Sequence, residues 1–177
     1  LHHFRDPKVW REGDSWYMVV GARDGETGQV RLYRSADLRQ WQDAGVLDEA
    51  EKEMGYMWEC PDFFTLNGKQ VLMFSPQGMA AEGFRQRNLF QSGYLLGEWQ
   101  PGQPFVREGA FIELDHGHDF YAPQSFTTPD GRRIVMAWLD MWESPMPEQQ
   151  DGWAGMLSLP REVSLSADNQ LQMRPAK

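Results

Sequence analysis

The chain of 177 residues holds a single cysteine, Cys60. That excludes an internal disulfide framework and fits a reducing compartment, so the cytoplasm is the expected location. No apolar run approaches the roughly 18 residues that a membrane-spanning helix needs, and no membrane partner is expected. Basic residues are few: 17 Lys and Arg against 26 Asp and Glu leave a net charge of −9. Nucleic acid or an anionic surface would select a basic face, so neutral or cationic ligands remain. No glycine-rich phosphate loop is evident. An initiating methionine is also missing, and the chain reads as the middle or C-terminal part of a longer protein, so the lack of a leader says nothing about destination. What is present is 41% hydrophobic and 13% aromatic residues, enough for one domain with a real core.

Short strands separated by turn residues fill the first sixty positions. Asp6 to Arg11 and Ser15 to Ala22 flank Glu12-Gly13-Asp14, the glycine-containing connection of a tight hairpin. Gln29 to Ser35 forms a third strand, and Trp41 to Leu47 a fourth beyond a turn at Asp37-Leu38. The same opening recurs twice. Pro61 begins a strand that turns at Asn67-Gly68 and returns through the apolar run Val71 to Phe74, and Pro123 begins one that turns at Pro129-Asp130-Gly131 and returns through Ile134 to Trp138. From Pro7 to Pro61 is 54 residues and from Pro61 to Pro123 is 62. Three weakly similar four-stranded units of this period predict an all-β chain, an arc of a β-propeller with approximate blades at 1–56, 57–114 and 115–177; a β-sandwich with glycine-rich hairpins is the alternative.

Within this pattern, Trp58-Glu59-Cys60-Pro61-Asp62-Phe63-Phe64 places an acidic side chain at the mouth of an aromatic strand. A carboxylate pressed against aromatic surface is suited to donating a proton near neutral pH, so Glu59 is a candidate general acid, against the plainer reading of a strand-edge glutamate reaching water. In a propeller the first strands lie nearest the axis and run the same way. The residues before the three prolines, Arg5-Asp6, Glu59-Cys60 and Tyr121-Ala122, then face one another across one funnel. Two carboxylates with an arginine and a tyrosine make a cluster that folding alone does not call for.

Phe4-Arg5-Asp6-Pro7-Lys8-Val9 and Trp58-Glu59-Cys60-Pro61-Asp62 resemble the paired "RDP" and "EC" motifs of glycoside hydrolase family 32, the invertases, sucrose-6-phosphate hydrolases and fructanases. Asp115 to Gln124 and Gly152-Trp153-Ala154-Gly155 resemble two further segments of that family, in the expected order. The resemblance implies a five-bladed propeller followed by a β-sandwich, and retaining cleavage of β-fructofuranosides such as sucrose, its 6-phosphate or a fructan. It implies that Glu59 is the acid/base catalyst and that Asp6 stabilises the transition state by gripping fructose hydroxyls, staying ionised beside Arg5. Arg5, Asp119, Tyr121 and Trp138 match sugar-lining positions, and no cofactor or metal is implied. The family's nucleophile lies in an Asn-Asp-Pro-Asn-Gly segment, and that segment does not occur in these residues. The expectation is therefore a partial propeller of about three blades, inactive alone, that associates with itself or with a companion fragment through uncovered blade faces.

Other residues invite readings of their own. His116 and His118, with Asp115 and Asp119, read better as a hydrogen-bonded loop than as a metal site. Trp58 and Trp153 are expected to pack rather than bind, and Cys60 to sit behind Glu59 rather than attack substrate. The acidic run Asp48 to Glu53 is expected to be a solvated loop or short helix. A furanosidase of another propeller family, such as an arabinan-cleaving enzyme, and a non-catalytic sugar-binding propeller are the rival functions.

Overall fold

A computed structural model describes residues 1–51 and 53–177; Lys52, inside the acidic run, lies outside the described residues. Among the described residues, twelve strands form three four-stranded antiparallel sheets. The first holds β1 (His3–Glu12), β2 (Ser15–Asp24), β3 (Thr27–Ser35) and β4 (Gln42–Glu49) in chain order. The second holds β5 (Met57–Leu66), β6 (Lys69–Gln77), β7 (Gly93–Glu98) and β8 (Val106–Glu113), and the third β9 (Tyr121–Thr127), β10 (Arg133–Trp138), β11 (Arg161–Leu165) and β12 (Leu171–Pro175). The arrangement is a partial β-propeller of three blades, with the predicted hairpins at Gly13, Gly68 and Gly131 all in place.

The period-2 alternation of strands explains how the blades stack. Phe63, Leu72, Phe74 and Leu95 of the middle blade pack on Tyr17, Val19, Val30 and Leu32 of the first. Their neighbours Phe64, Val71, Met73, Tyr94 and Leu96 pack on Val135, Ala137 and Val163 of the third. A sheet buried on both faces needs apolar residues at successive positions, which is why β6 reads as an unbroken run from Val71 to Phe74. The first two blades approach closely: a Cβ on Gly21 would lie 2.3 Å from the Trp58 carbonyl oxygen, and one on Gly28 2.6 Å from the Trp58 ring. At position 28 only glycine leaves room for the Trp58 indole, which is fully buried and stacks on Phe74 at 4.1 Å.

Two expectations need correction. Pro61 and Pro123 do not begin strands; they lie inside β5 and β9, as Pro7 lies inside β1. Each follows a residue in the left-handed region, with φ of 64° at Asp6, 48° at Cys60 and 51° at Ala122. In every case two residues oppose one on the partner strand: Asp6-Pro7 between the pairs Arg5↔Gly21 and Lys8↔Val19, Cys60-Pro61 between Glu59↔Ser75 and Asp62↔Met73, and Ala122-Pro123 between Tyr121↔Trp138 and Gln124↔Met136. A bulge tolerates proline because the extra residue is out of the ladder, and it bends the strand and re-aims the side chain before it. The acidic run is not simply solvated either. Asp48 and Glu49 end β4, and Arg107 on β8 grips Asp48 at 2.6 Å and Glu51 at 2.9 Å, pinning the first blade to the second.

Candidate active site

The three bulges lie side by side on the inner strands, and what they aim at one another is a hydrogen-bonded cluster. Glu59 Oε1 accepts from Arg5 Nε at 2.7 Å and pairs with Arg5 Nη2 at 2.6 Å. Its Oε2 accepts from Gln77 Nε2 at 3.0 Å and from the Tyr121 hydroxyl. Asp6 sits one bulge away: its Oδ2 accepts from the Cys60 backbone N–H at 3.0 Å and faces the Cys60 thiol at 3.4 Å. Arg5, Asp6, Glu59 and Tyr121 are thus brought to one place although they stand up to 116 positions apart, from Arg5 to Tyr121.

The expected partner of Arg5 is Asp6, and the structure assigns it to Glu59 instead, with His3 Nδ1 2.8 Å from Nη1. The reason is the bulge. With Asp6 in the left-handed region, adjacent side chains diverge, so Arg5 turns along the rim to the neighbouring blade while Asp6 turns to the backbone of Cys60. Glu59 therefore does not rest on bare aromatic surface; it is surrounded by four donor groups. Burial, then the negative charge of Glu59, pushes the Tyr121 phenol above its ordinary value, so Tyr121 holds its proton and donates it to the glutamate.

Asp119 is buried, with φ of 58°, and its carboxylate lies 3.3 Å from His118 Nδ1; among the described residues it makes no hydrogen bond to Glu59 or Asp6. Trp138 pairs with Tyr121 across β10 and β9, and its ring lies parallel to that of Trp142 at 6.3 Å. Trp142 in turn meets Tyr121 at 5.3 Å and Phe90 at 5.1 Å, completing an aromatic wall beside Glu59. Sequence reasoning misses Gln77, Trp142 and Phe90. Trp142 follows Trp138 by four positions, a signal that could have found it, whereas only the register Met57↔Gln77 reveals Gln77. The histidine segment is a bonded loop in which Asp115 accepts from the Gly117 N–H and pairs with Arg161 at 2.6 Å. Trp58 packs as expected; Trp153 does not, being 47% exposed.

Burial, with the Asp6 carboxylate beside it, pushes the Cys60 thiol well above its usual value. Native chain is expected to react with iodoacetamide at pH 8 at least about tenfold more slowly than a free cysteine, and labelling at the free-thiol rate would show that Asp6 and Cys60 do not meet.

Three blades whose bulged inner strands bring acidic side chains to a shared rim, flanked by aromatic faces, define this chain as part of a β-propeller domain. It belongs to glycosyl hydrolases family 32: the profile of the family's N-terminal domain matches residues 1–175. A sucrose-6-phosphate hydrolase of Escherichia coli is 61% identical over 173 residues, covering 97% of this chain and 36% of that protein. A raffinose invertase of Escherichia coli is 57% identical, covering 100% of this chain and 37% of that protein. Among solved structures, the Bombyx mori GH32 beta-fructofuranosidase superposes with a TM-score of 0.94 at 45% identity, over 98% of this chain and 37% of that one. The chain spans a little over a third of the length of the relatives it matches.

Proposed function

We propose that these residues are part of a longer β-fructofuranosidase that cleaves sucrose or sucrose 6-phosphate with retention. The observation that carries the reading is Glu59, held at the meeting of three inner strands by Arg5, Gln77 and Tyr121, with Asp6 on the adjoining bulge. The names of the two Escherichia coli relatives, a sucrose-6-phosphate hydrolase and a raffinose invertase, support this substrate class.

In this reading Glu59 protonates the glycosidic oxygen as the bond to the fructose carbon breaks, and the fructosyl group passes to a carboxylate nucleophile outside residues 1–177. Glu59 then takes a proton from the water that releases fructose. Glu59 accepts from four donors, and one oxygen must be freed to reach the glycosidic oxygen when substrate enters. Gln77 is suited to yield, because its amide is neutral and rotatable whereas Arg5 is always charged. Asp6 grips fructose hydroxyls, and Arg5, Asp119, Tyr121 and Trp138 line the sugar, the tryptophan offering a flat face to ring C–H bonds.

The isolated 177-residue chain is expected to release no fructose from sucrose at an enzymatic rate. It is also expected to scatter light as a species larger than its 20.5 kDa monomer, because Phe4 and Val9 on the first blade and Phe126 on the third are exposed. An active, monodisperse monomer would overturn both parts. In the longer protein, sucrose binding without turnover would favour the sugar-binding alternative.

A further inference from the structure

Below the rim lies a second polar cluster that the chemistry above does not use. Asp62 is fully buried, two positions beyond Cys60 on β5. Its Oδ2 accepts from the Ser125 backbone N–H at 2.7 Å and the Ser125 hydroxyl at 2.6 Å, and lies 3.2 Å from Lys8 Nζ. Its Oδ1 lies 3.3 Å from Arg133 Nη2. Lys8 also donates to the Ser125 carbonyl at 2.6 Å, and Arg133 Nε to the Ser125 hydroxyl at 2.8 Å.

Every partner comes from an inner or next-to-inner strand: Lys8 follows Pro7 on β1 and Ser125 comes two after Pro123 on β9, both just past a bulge, while Arg133 opens β10 opposite Thr127. A buried aspartate without partners would be strongly disfavoured, so these groups stand or fall together. Left-handed backbone at a residue other than glycine is also unfavourable and persists only where its surroundings hold it. Here three such residues, Asp6, Cys60 and Ala122, sit directly above one knot that ties their three strands.

We infer that Asp62 is a positioning residue for this site: by binding Lys8, Ser125 and Arg133 it sets the relative depth of the three bulges, and so the spacing of Arg5, Glu59 and Tyr121. Its kinetic consequence rests on the proposed role of Glu59; its structural consequence does not.

The test is Asp62→Asn in the longer protein, which keeps the shape and removes the charge that both cations face. Expected are a kcat about 30- to 100-fold lower, as for a misplacement on the order of 1 Å, with KM changed less than about threefold and the pH profile of kcat displaced. A crystal structure of the variant is expected to show the Arg5–Glu59 or the Tyr121–Glu59 hydrogen bond broken. Leu72→Ala, a purely packing change in the same blade, is expected to lower the melting temperature and leave the pH profile in place. A folded Asp62→Asn protein with kcat within about threefold, an unmoved pH profile and both hydrogen bonds intact would overturn the inference. Should that variant not fold, Ser125→Ala decides: a displaced pH profile supports the inference and an unmoved one overturns it. If the unaltered protein released no fructose, the functional proposal would fail while the crystallographic comparison still decided the role of Asp62.

Discussion

Glu59→Gln in the longer protein is expected to lower the rate of fructose release by about 10²- to 10⁴-fold, the range that a positioned acid–base group supplies. Glutamine fills the same space but delivers no proton to a leaving oxygen and takes none from water. It also presents an amide N–H₂ to a cage whose members, Arg5, Gln77 and Tyr121, now donate, so Gln77 or Tyr121 must reverse its hydrogen bond to accommodate it. Affinity for sucrose is expected to stay within about tenfold, because the gripping groups on the other blades remain. The deficit should shrink on a fructoside whose leaving group departs without a proton, since the acid is then dispensable in the first step. A variant retaining more than about a third of the unaltered kcat on sucrose would show that Glu59 is not the acid.

The second large effect concerns stability. Trp58→Ala is expected to cost about 3–5 kcal/mol, measured by urea unfolding, the range for removing a large buried aromatic side chain. The residue ties together several parts of the first two blades. Its ring stacks on Phe74 at 4.1 Å, its indole N–H donates to the Met54 carbonyl at 2.8 Å, and the Arg107 guanidinium lies 5.8 Å from its centre. Gly28 on the first blade leaves the space its ring occupies, so truncation opens a cavity between blades. Trp153→Ala, at an exposed position, is expected to cost less than about 0.5 kcal/mol. A loss below about 1 kcal/mol at Trp58 would mean that the first two blades do not depend on this side chain.

Much of this molecule could be read from the order of its residues. Glycine after a strand, as at Gly13, Gly68 and Gly131, marks a tight turn because few other residues adopt positive φ without strain. The run Val71 to Phe74 announced a strand covered on both sides. Spacing between the prolines set the repeat, and the repeat placed Arg5, Glu59 and Tyr121 at equivalent points of three blades. Pro61 and Pro123 misled about where strands begin. Their missing N–H argues for a strand's first residue or for a bulge with equal force, and only pairing such as that of Glu59 with Ser75 and Asp62 with Met73 tells the two apart.

The sequence by itself determined the class of fold, the blade repeat and the acidic residues that reach the rim, since these follow from local periodicity, turn chemistry and equivalent position in a repeated unit. Only the tertiary structure decided which donor meets which carboxylate. Arg5 binds Glu59 and not its neighbour Asp6, Gln77 arrives from the end of β6, and Asp62 gathers Lys8, Ser125 and Arg133 from separate strands. The direction in which a side chain leaves a bulged strand depends on backbone angles set by packing between blades, and that packing exists only once the blades have docked.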